Sequence, residues 1–205
     1  MKYDAVILDI DGTLWNASPA SAAGWNKALE SMGIDARVTA EQIETVAGLS
    51  YGECVETLLP GMQNKYPALI KTMNMHETEK VEEMGGVFFE GVRKGVEKLS
   101  HSYKVFLVSN CQDWYMDAFL GFSGFKDMLS GYDCHGMSGV SKGEMIKRIV
   151  RGNGLRRAVY AGDTAGDEKA AKEAGVEYFH MAYGFGEPMG KPVRFDSFAG
   201  LVEFL

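Results

Sequence analysis

Asp9-Ile10-Asp11-Gly12-Thr13-Leu14 stands directly after the apolar run Tyr3 to Leu8, and this junction decides how the rest of the chain is read. The run is short, rich in Val, Ile and Leu, and halted at Gly12, which predicts a strand. Its near-continuous apolar character predicts burial on both faces, as in a parallel α/β sheet. Ligands of such sheets bind beyond the carboxyl ends of the strands, where Asp9 and Asp11 fall. Two acids there repel each other unless a cation or proton lies between them, and a hard, oxygen-seeking ion such as Mg²⁺ suits them. Taken alone, Asp-x-Asp-Gly also fits a plain turn after a strand, since Asp and Gly are common turn residues.

Three later segments repeat the plan. Lys104 to Val108 is a second buried-strand pattern that runs into Ser109 and Asn110, whose side chains and neighbouring backbone N–H groups could hold phosphate oxygens. Ser141 and Glu144 have capping-box spacing ahead of the apolar-periodic Met145, Ile146, Ile149 and Val150, so Lys142 opens a helix. A lysine there adds its charge to the positive end of the helix dipole and favours an anion. A further strand, Arg157 to Ala161, ends in Gly162-Asp163-Thr164-Ala165-Gly166-Asp167, ahead of a helix Glu168 to Ala174 closed by Gly175.

With these four motifs in order, nearly the whole chain resembles the haloacid dehalogenase-like hydrolase superfamily, in its branch of phosphoglycolate phosphatases and β-phosphoglucomutases. The resemblance implies a doubly wound parallel α/β sheet with an inserted helical cap, and a phosphoaspartyl mechanism. It implies that Asp9 attacks phosphorus and that Asp11 is the general acid and base. Ser109, Asn110 and Lys142 would bind phosphate. Mg²⁺ would be held by Asp9, the Asp11 backbone carbonyl and Asp163, with Asp167 acting through water or in an outer shell. An acid at position 11 favours phosphate chemistry, because the dehalogenase branch lacks one there. The chemistry is consistent: attack of a carboxylate on a dianionic phosphate needs the repulsion offset by cations, here Mg²⁺ and Lys142.

The stretch between the first two motifs is too long for a loop and reads as helical. Ala22, Trp25, Ala28, Leu29 and Met32 recur at helical spacing, Thr39 with Gln42 and Ser50 with Glu53 are capping-box pairs, and a last helix is predicted over Lys65 to Met84. The expected division is residues 1–14 and 87–205 for the catalytic core and 15–86 for the cap, with hinges at Trp15 to Ser18 and Gly85-Gly86. Trp25 is expected in the core of the cap. Five parallel strands are expected in all, including Gly131 to Cys134 and Glu177 to Met181, with the first at the centre.

Composition sets the outer limits. With 205 residues, 46% of them hydrophobic, the chain suits one domain or one domain with an insert. A net charge of −7 without a basic run argues against nucleic acid as a partner. No apolar stretch approaches ~18 residues, so neither a membrane span nor a membrane partner is expected, and the protein is expected to be cytoplasmic, as a monomer or weak homodimer. Cys54, Cys111 and Cys134 fit reduced thiols and no zinc site, and Cys111 is expected to be a passive small residue.

The expected activity is Mg²⁺-dependent hydrolysis of a small phosphorylated metabolite. Two alternatives compete: a sugar phosphomutase on the same scaffold, and a receiver-like phosphate-sensing module, which needs no cap. Mutases of the family carry a histidine and an arginine where this chain has Ser21 and Tyr51, which argues for hydrolysis. Asn16-Ala17, Lys142-Gly143 and Glu90-Gly91-Val92 depart from the phosphoglycolate-type pattern, so phosphoglycolate is not assumed.

Overall fold

In the computed structural model, which describes residues 2–205, the first apolar run forms strand β1 (Ala5–Leu8), fully buried. It begins at Ala5 rather than Tyr3 because Asp4 turns its carboxylate to the backbone N–H groups of Arg156 and Arg157 (2.8 and 3.2 Å). Next come β2 (Trp15–Asn16), helices α1 (Ser18–Ser31), α2 (Ala40–Thr45), α3 (Tyr51–Leu58), α4 (Met62–Lys65) and α5 (Leu69–Met84), and β3 (Val87–Phe88). The remainder alternates: α6 (Val92–Ser100), β4 (Lys104–Ser109), α7 (Asp113–Ser123), β5 (Gly131–Cys134), α8 (His135–Ser138), α9 (Lys142–Gly152), β6 (Ala158–Gly162), α10 (Ala165–Ala174), β7 (Glu177–Met181), β8 (Val193–Phe195) and α11 (Phe198–Phe204).

The main sheet is parallel throughout, in the order β5-β4-β1-β6-β7-β8, so β1 lies between β4 and β6 as expected. Leu8 is level with Leu107 and Ala161, which brings the carboxyl ends of the three central strands to one edge. Alternation along β1 divides the core: Val6 and Leu8 pack with Phe119, Phe179 and Phe198 on one face, Ala5 and Ile7 with Met145, Ile146 and Tyr160 on the other. The sheet has a sixth strand, β8, where five were expected. It is three residues long, follows Pro192 and carries exposed Val193 and Arg194, so it has the mixed pattern of an edge and none of the signature of a buried strand.

Helices α1 to α5 leave and rejoin the sheet domain through a two-stranded antiparallel ribbon, Trp15 opposite Phe88 and Asn16 opposite Val87. They have an apolar cluster of their own, built on Trp25, Leu29, Val55, Leu69 and Met73. Both capping boxes form, Thr39 with Gln42 and Ser50 with Glu53. The helix expected from Lys65 to Met84 is instead two, α4 and α5. Tyr66 precedes Pro67 and leaves the helical region (φ −128°, ψ 88°), as a residue before proline is driven to do. Gly24 lets α1 and α5 approach closely, since a Cβ there would stand 2.4 Å from Glu77 Cα.

Candidate active site

Asp9, the first residue past β1, is buried at the sheet edge with the Lys142 ammonium 3.1 Å from its Oδ1. That approach is not aligned as a hydrogen bond, and Oδ1 has no other donor. Burial, with Asp167 and Asp163 adding repulsion, pushes the Asp9 carboxyl well above its usual range, against the opposing pull of Lys142. The atom is thus an orphaned buried acceptor in an electron-rich corner.

Lys142 is also buried, at the first position of α9, where Ser141 caps the helix by accepting from Glu144 N–H. Burial alone would lower its pKa, but Asp167 and Asp9 together raise it, so the ammonium stays charged. Its second partner is Asp167, at 2.7 Å.

Asp167 is fully engaged. Oδ1 also accepts from Tyr160 Oη (3.1 Å), and Oδ2 accepts from the N–H groups of Asp163 and Thr164 and from Thr164 Oγ1 (3.2, 3.0 and 2.6 Å). Burial would raise its pKa, yet Lys142 and the Thr164 donors hold it below the usual carboxylate value. Thr164 and Asp167 form a capping box, so α10 begins at Ala165, three residues before the expected Glu168. The box was missed because its third position is Asp and not the customary Glu or Gln.

Asp163 is wholly buried. It accepts from Thr13 Oγ1 (3.3 Å) and Phe185 N–H (2.7 Å), and burial followed by repulsion from Asp167 raises its pKa. Gly12 keeps its space clear: φ is +74°, and a Cβ would stand 2.1 Å from Asp163 Oδ2. Asp9, Asp163 and Asp167 offer oxygens within 4.8 Å of one another, all buried. With Asp167 already saturated, the donors left for a hard cation are Asp9 and Asp163. The orphaned Asp9 oxygen, the raised Asp9 and Asp163 pKa values and the all-oxygen donor set fit a divalent ion of the Mg²⁺ type.

Asp11 lies beside this centre, half-buried, and lines a cleft between the sheet edge and the helices α1 to α5. Burial pushes its carboxyl up to about 6, against the opposing donation of Tyr115. Tyr115 Oη donates a hydrogen bond to Asp11 Oδ1, a partner that sequence reading missed. Ser109 faces the cleft at the end of β4. Asn110 does too, but its side chain bridges to the helical layer, Nδ2 donating to Gly48 O at 2.6 Å. The structure therefore brings Asp9, Asp11, Ser109, Asn110, Lys142, Asp163 and Asp167 to one edge. Burial raises the Cys111 thiol well above its ordinary value, so it is protonated at neutral pH and a poor nucleophile.

The far wall of the cleft holds a group that the sequence did not single out. Glu77, on α5, is buried, and its Oε2 accepts from Trp25 Nε1 (2.6 Å) and Tyr51 Oη (2.7 Å). Trp25 is buried in the helical layer's own cluster, as expected, and also lines the cleft. A signal for Glu77 did exist: it interrupts the i, i+4 apolar stripe Leu69, Met73, Val81.

The helices and sheet edge occur together in known structures. A protein described as a predicted phosphoglycolate phosphatase from Haemophilus somnus superposes with a TM-score of 0.84 at 19% identity, over 100% of this chain and 98% of that one. A haloacid dehalogenase-like family hydrolase from Streptococcus pneumoniae gives 0.83 at 18% identity, over 98% of each chain. A protein described as a predicted phosphatase from Clostridium acetobutylicum gives 0.79 at 14%, over 100% and 98%. At such identities the likeness establishes the fold. No curated protein matches the chain. Residues 6–181 do match the family model of the haloacid dehalogenase-like hydrolases, and with the acidic sheet edge described above, the chain belongs to that family.

Proposed function

We propose that the protein is a divalent-metal-dependent phosphatase that hydrolyses a small phosphomonoester through an aspartyl phosphate on Asp9, with residues 15–86 acting as a cap. The observation that carries this reading is the buried Asp9 carboxylate at the cleft, its Oδ1 3.1 Å from the Lys142 ammonium and without an aligned hydrogen bond, with a second carboxylate, Asp163, within 4.8 Å. A free carboxylate oxygen with its charge held in check nearby is what a nucleophile toward phosphorus needs.

Mg²⁺ fits the donor set and would be held by Asp9, the Asp11 backbone carbonyl and Asp163, with Asp167 standing in an outer shell, where it holds Lys142 and the Asp163 N–H. When bound it would draw charge from the phosphate oxygens. The chain's own groups would do the rest. Lys142, Ser109 and the backbone N–H of Asn110 would hold the phosphoryl oxygens. Asp9 would form the bond to phosphorus as the ester oxygen leaves, and Asp11 would give that oxygen a proton. Asp11, then ionised, would take a proton from the water that attacks the acyl phosphate, releasing inorganic phosphate and regenerating Asp9. A carboxyl near 6, steadied by Tyr115, suits both directions of transfer at neutral pH. The Asn110–Gly48 hydrogen bond supports a cap that closes over the site and limits bulk water to the second step.

Ser21 and Tyr51 line the cleft next to Glu77, and neither carries the positive charge that a bisphosphate would need there, which supports hydrolysis over mutase chemistry. A panel of small phosphomonoesters assayed for phosphate release with and without Mg²⁺ tests the proposal. Release that requires Mg²⁺ supports it. Interconversion of β-glucose 1-phosphate to glucose 6-phosphate faster than phosphate release overturns it.

A further inference from the structure

Behind the phosphoryl end of the cleft, buried Lys142 balances the acids, but the leaving-group end has no such cation. Among the described residues, those lining the cleft include no lysine, arginine or histidine. They do include Glu77, whose hydrogen-bond partners both donate, Trp25 Nε1 and Tyr51 Oη, with the Ser21 side chain close by. Two donors converging on one oxygen of a buried carboxylate are the surroundings of an ionised acid. Burial and the nearby Asp11 raise its pKa, and a positive charge brought into the cleft would relieve that cost.

The surrounding wall is aromatic. Trp25 and Tyr51 meet edge to face with ring centroids 5.7 Å apart, and across the cleft Trp114 and Tyr115 meet at 5.5 Å. Trp114 is fixed by donating its Nε1 to Asn74 Oδ1 on α5, at 3.1 Å. Aromatic faces beside a carboxylate attract an organic cation and give nothing to an anion. A leaving group with a carboxylate or a second phosphate would instead meet Glu77 as a like charge in a setting where water screens poorly.

Building on the phosphatase reading, we infer that Glu77 is a specificity-determining residue and that the cleft selects phosphomonoesters of amino alcohols, placing the substrate's ammonium against Glu77 and the Trp25, Tyr51, Trp114 and Tyr115 rings. Phosphoglycolate, whose carboxylate would take the same place, is disfavoured.

Three esters of similar size separate the charge at that place: phosphoethanolamine (positive), propyl phosphate (neutral) and phosphoglycolate (negative). With Mg²⁺ and the wild-type chain, kcat/KM is expected to fall in that order. In Glu77→Gln, which keeps an oxygen acceptor for Trp25 and Tyr51, the ratio of kcat/KM for phosphoethanolamine over propyl phosphate is expected to fall by about 10- to 100-fold, the usual worth of a hydrogen bond to a charged group. The change should lie mainly in KM, as uniform binding requires. Any wild-type ranking in which phosphoethanolamine is not first, or a ratio unchanged within twofold in the variant, overturns the inference. The wild-type ranking decides the matter even if the variant fails to fold. Absence of phosphate release from all three esters and from p-nitrophenyl phosphate would instead overturn the phosphatase reading beneath it.

Discussion

Replacing Lys142 by methionine isolates the electrostatics on which the site depends. The side chain is buried and of similar length to Met, so packing changes little, but Asp9 and Asp167 lose the cation 3.1 and 2.7 Å away. Three buried carboxylates with oxygens within 4.8 Å of one another would then share the site with no balancing charge from the chain. Breaking a buried ion pair by removing one partner costs about 3–5 kcal/mol. For a domain of this size each kcal/mol lowers Tm by about 2–4 °C, so a fall of roughly 6–20 °C is expected at pH 8 in EDTA. Mg²⁺ should restore more stability to the variant than to the parent, because the carboxylates it would bind lack any other counter-charge. Thermal and chemical denaturation followed by circular dichroism, with and without Mg²⁺, measure both quantities. A loss below about 1 kcal/mol in EDTA would refute the reasoning, since the acids would then be relieved by protons or water and not by Lys142.

Asp11→Asn keeps the backbone carbonyl but loses the proton carrier, so turnover of an alkyl phosphate should fall by about 10²- to 10⁴-fold while the Mg²⁺ concentration for half-maximal activity changes little, as steady-state kinetics will show. Asn110→Ala retains the backbone N–H but removes the bridge to Gly48 O; a lost hydrogen bond of about 0.5–1.5 kcal/mol predicts a rise in KM of up to roughly tenfold. Glu77→Gln should show a stability change that depends on pH. Burial raises the folded-state pKa of Glu77 against donation from Tyr51, Ser21 and Trp25, with Asp11 adding repulsion. The stability contribution of this group is therefore fully present below its unfolded pKa and is lost as pH rises through the folded value. Parallel thermal melts should find the variant gaining on the parent from acid pH upward, and a flat difference would contradict an ionised Glu77.

Residues whose chemistry follows local spacing were legible in the chain. Asp9 and Asp11 after an apolar strand, Lys142 behind a Ser-x-x-Glu cap and Asp163 after β6 could be placed at one edge because parallel strands end together. Partners chosen by tertiary packing were not. Tyr115 reads as one more apolar position on α7, and only the crossing of that helix over the sheet edge brings it to Asp11. Asn110 is expected to bind phosphate, and its backbone N–H is at the site, but the reach of its side chain to Gly48 in the helical layer, 62 residues away in sequence, has no local signal. Glu77 stands among several acids on α5, and its burial depends on the closeness that Gly24 allows between α1 and α5. The β8 edge strand carried no pattern because an edge of three residues needs none.

Acid quenching during steady turnover, followed by peptide mapping, tests the covalent role of Asp9 most directly. With Mg²⁺ and a hydrolysed phosphomonoester, an acid-stable phosphoryl group should be found on the peptide that carries Asp9, and both it and phosphate release should vanish in Asp9→Asn and in EDTA. Turnover that continues in Asp9→Asn, or that proceeds in the parent with no phosphoryl group trapped on Asp9, would contradict the account.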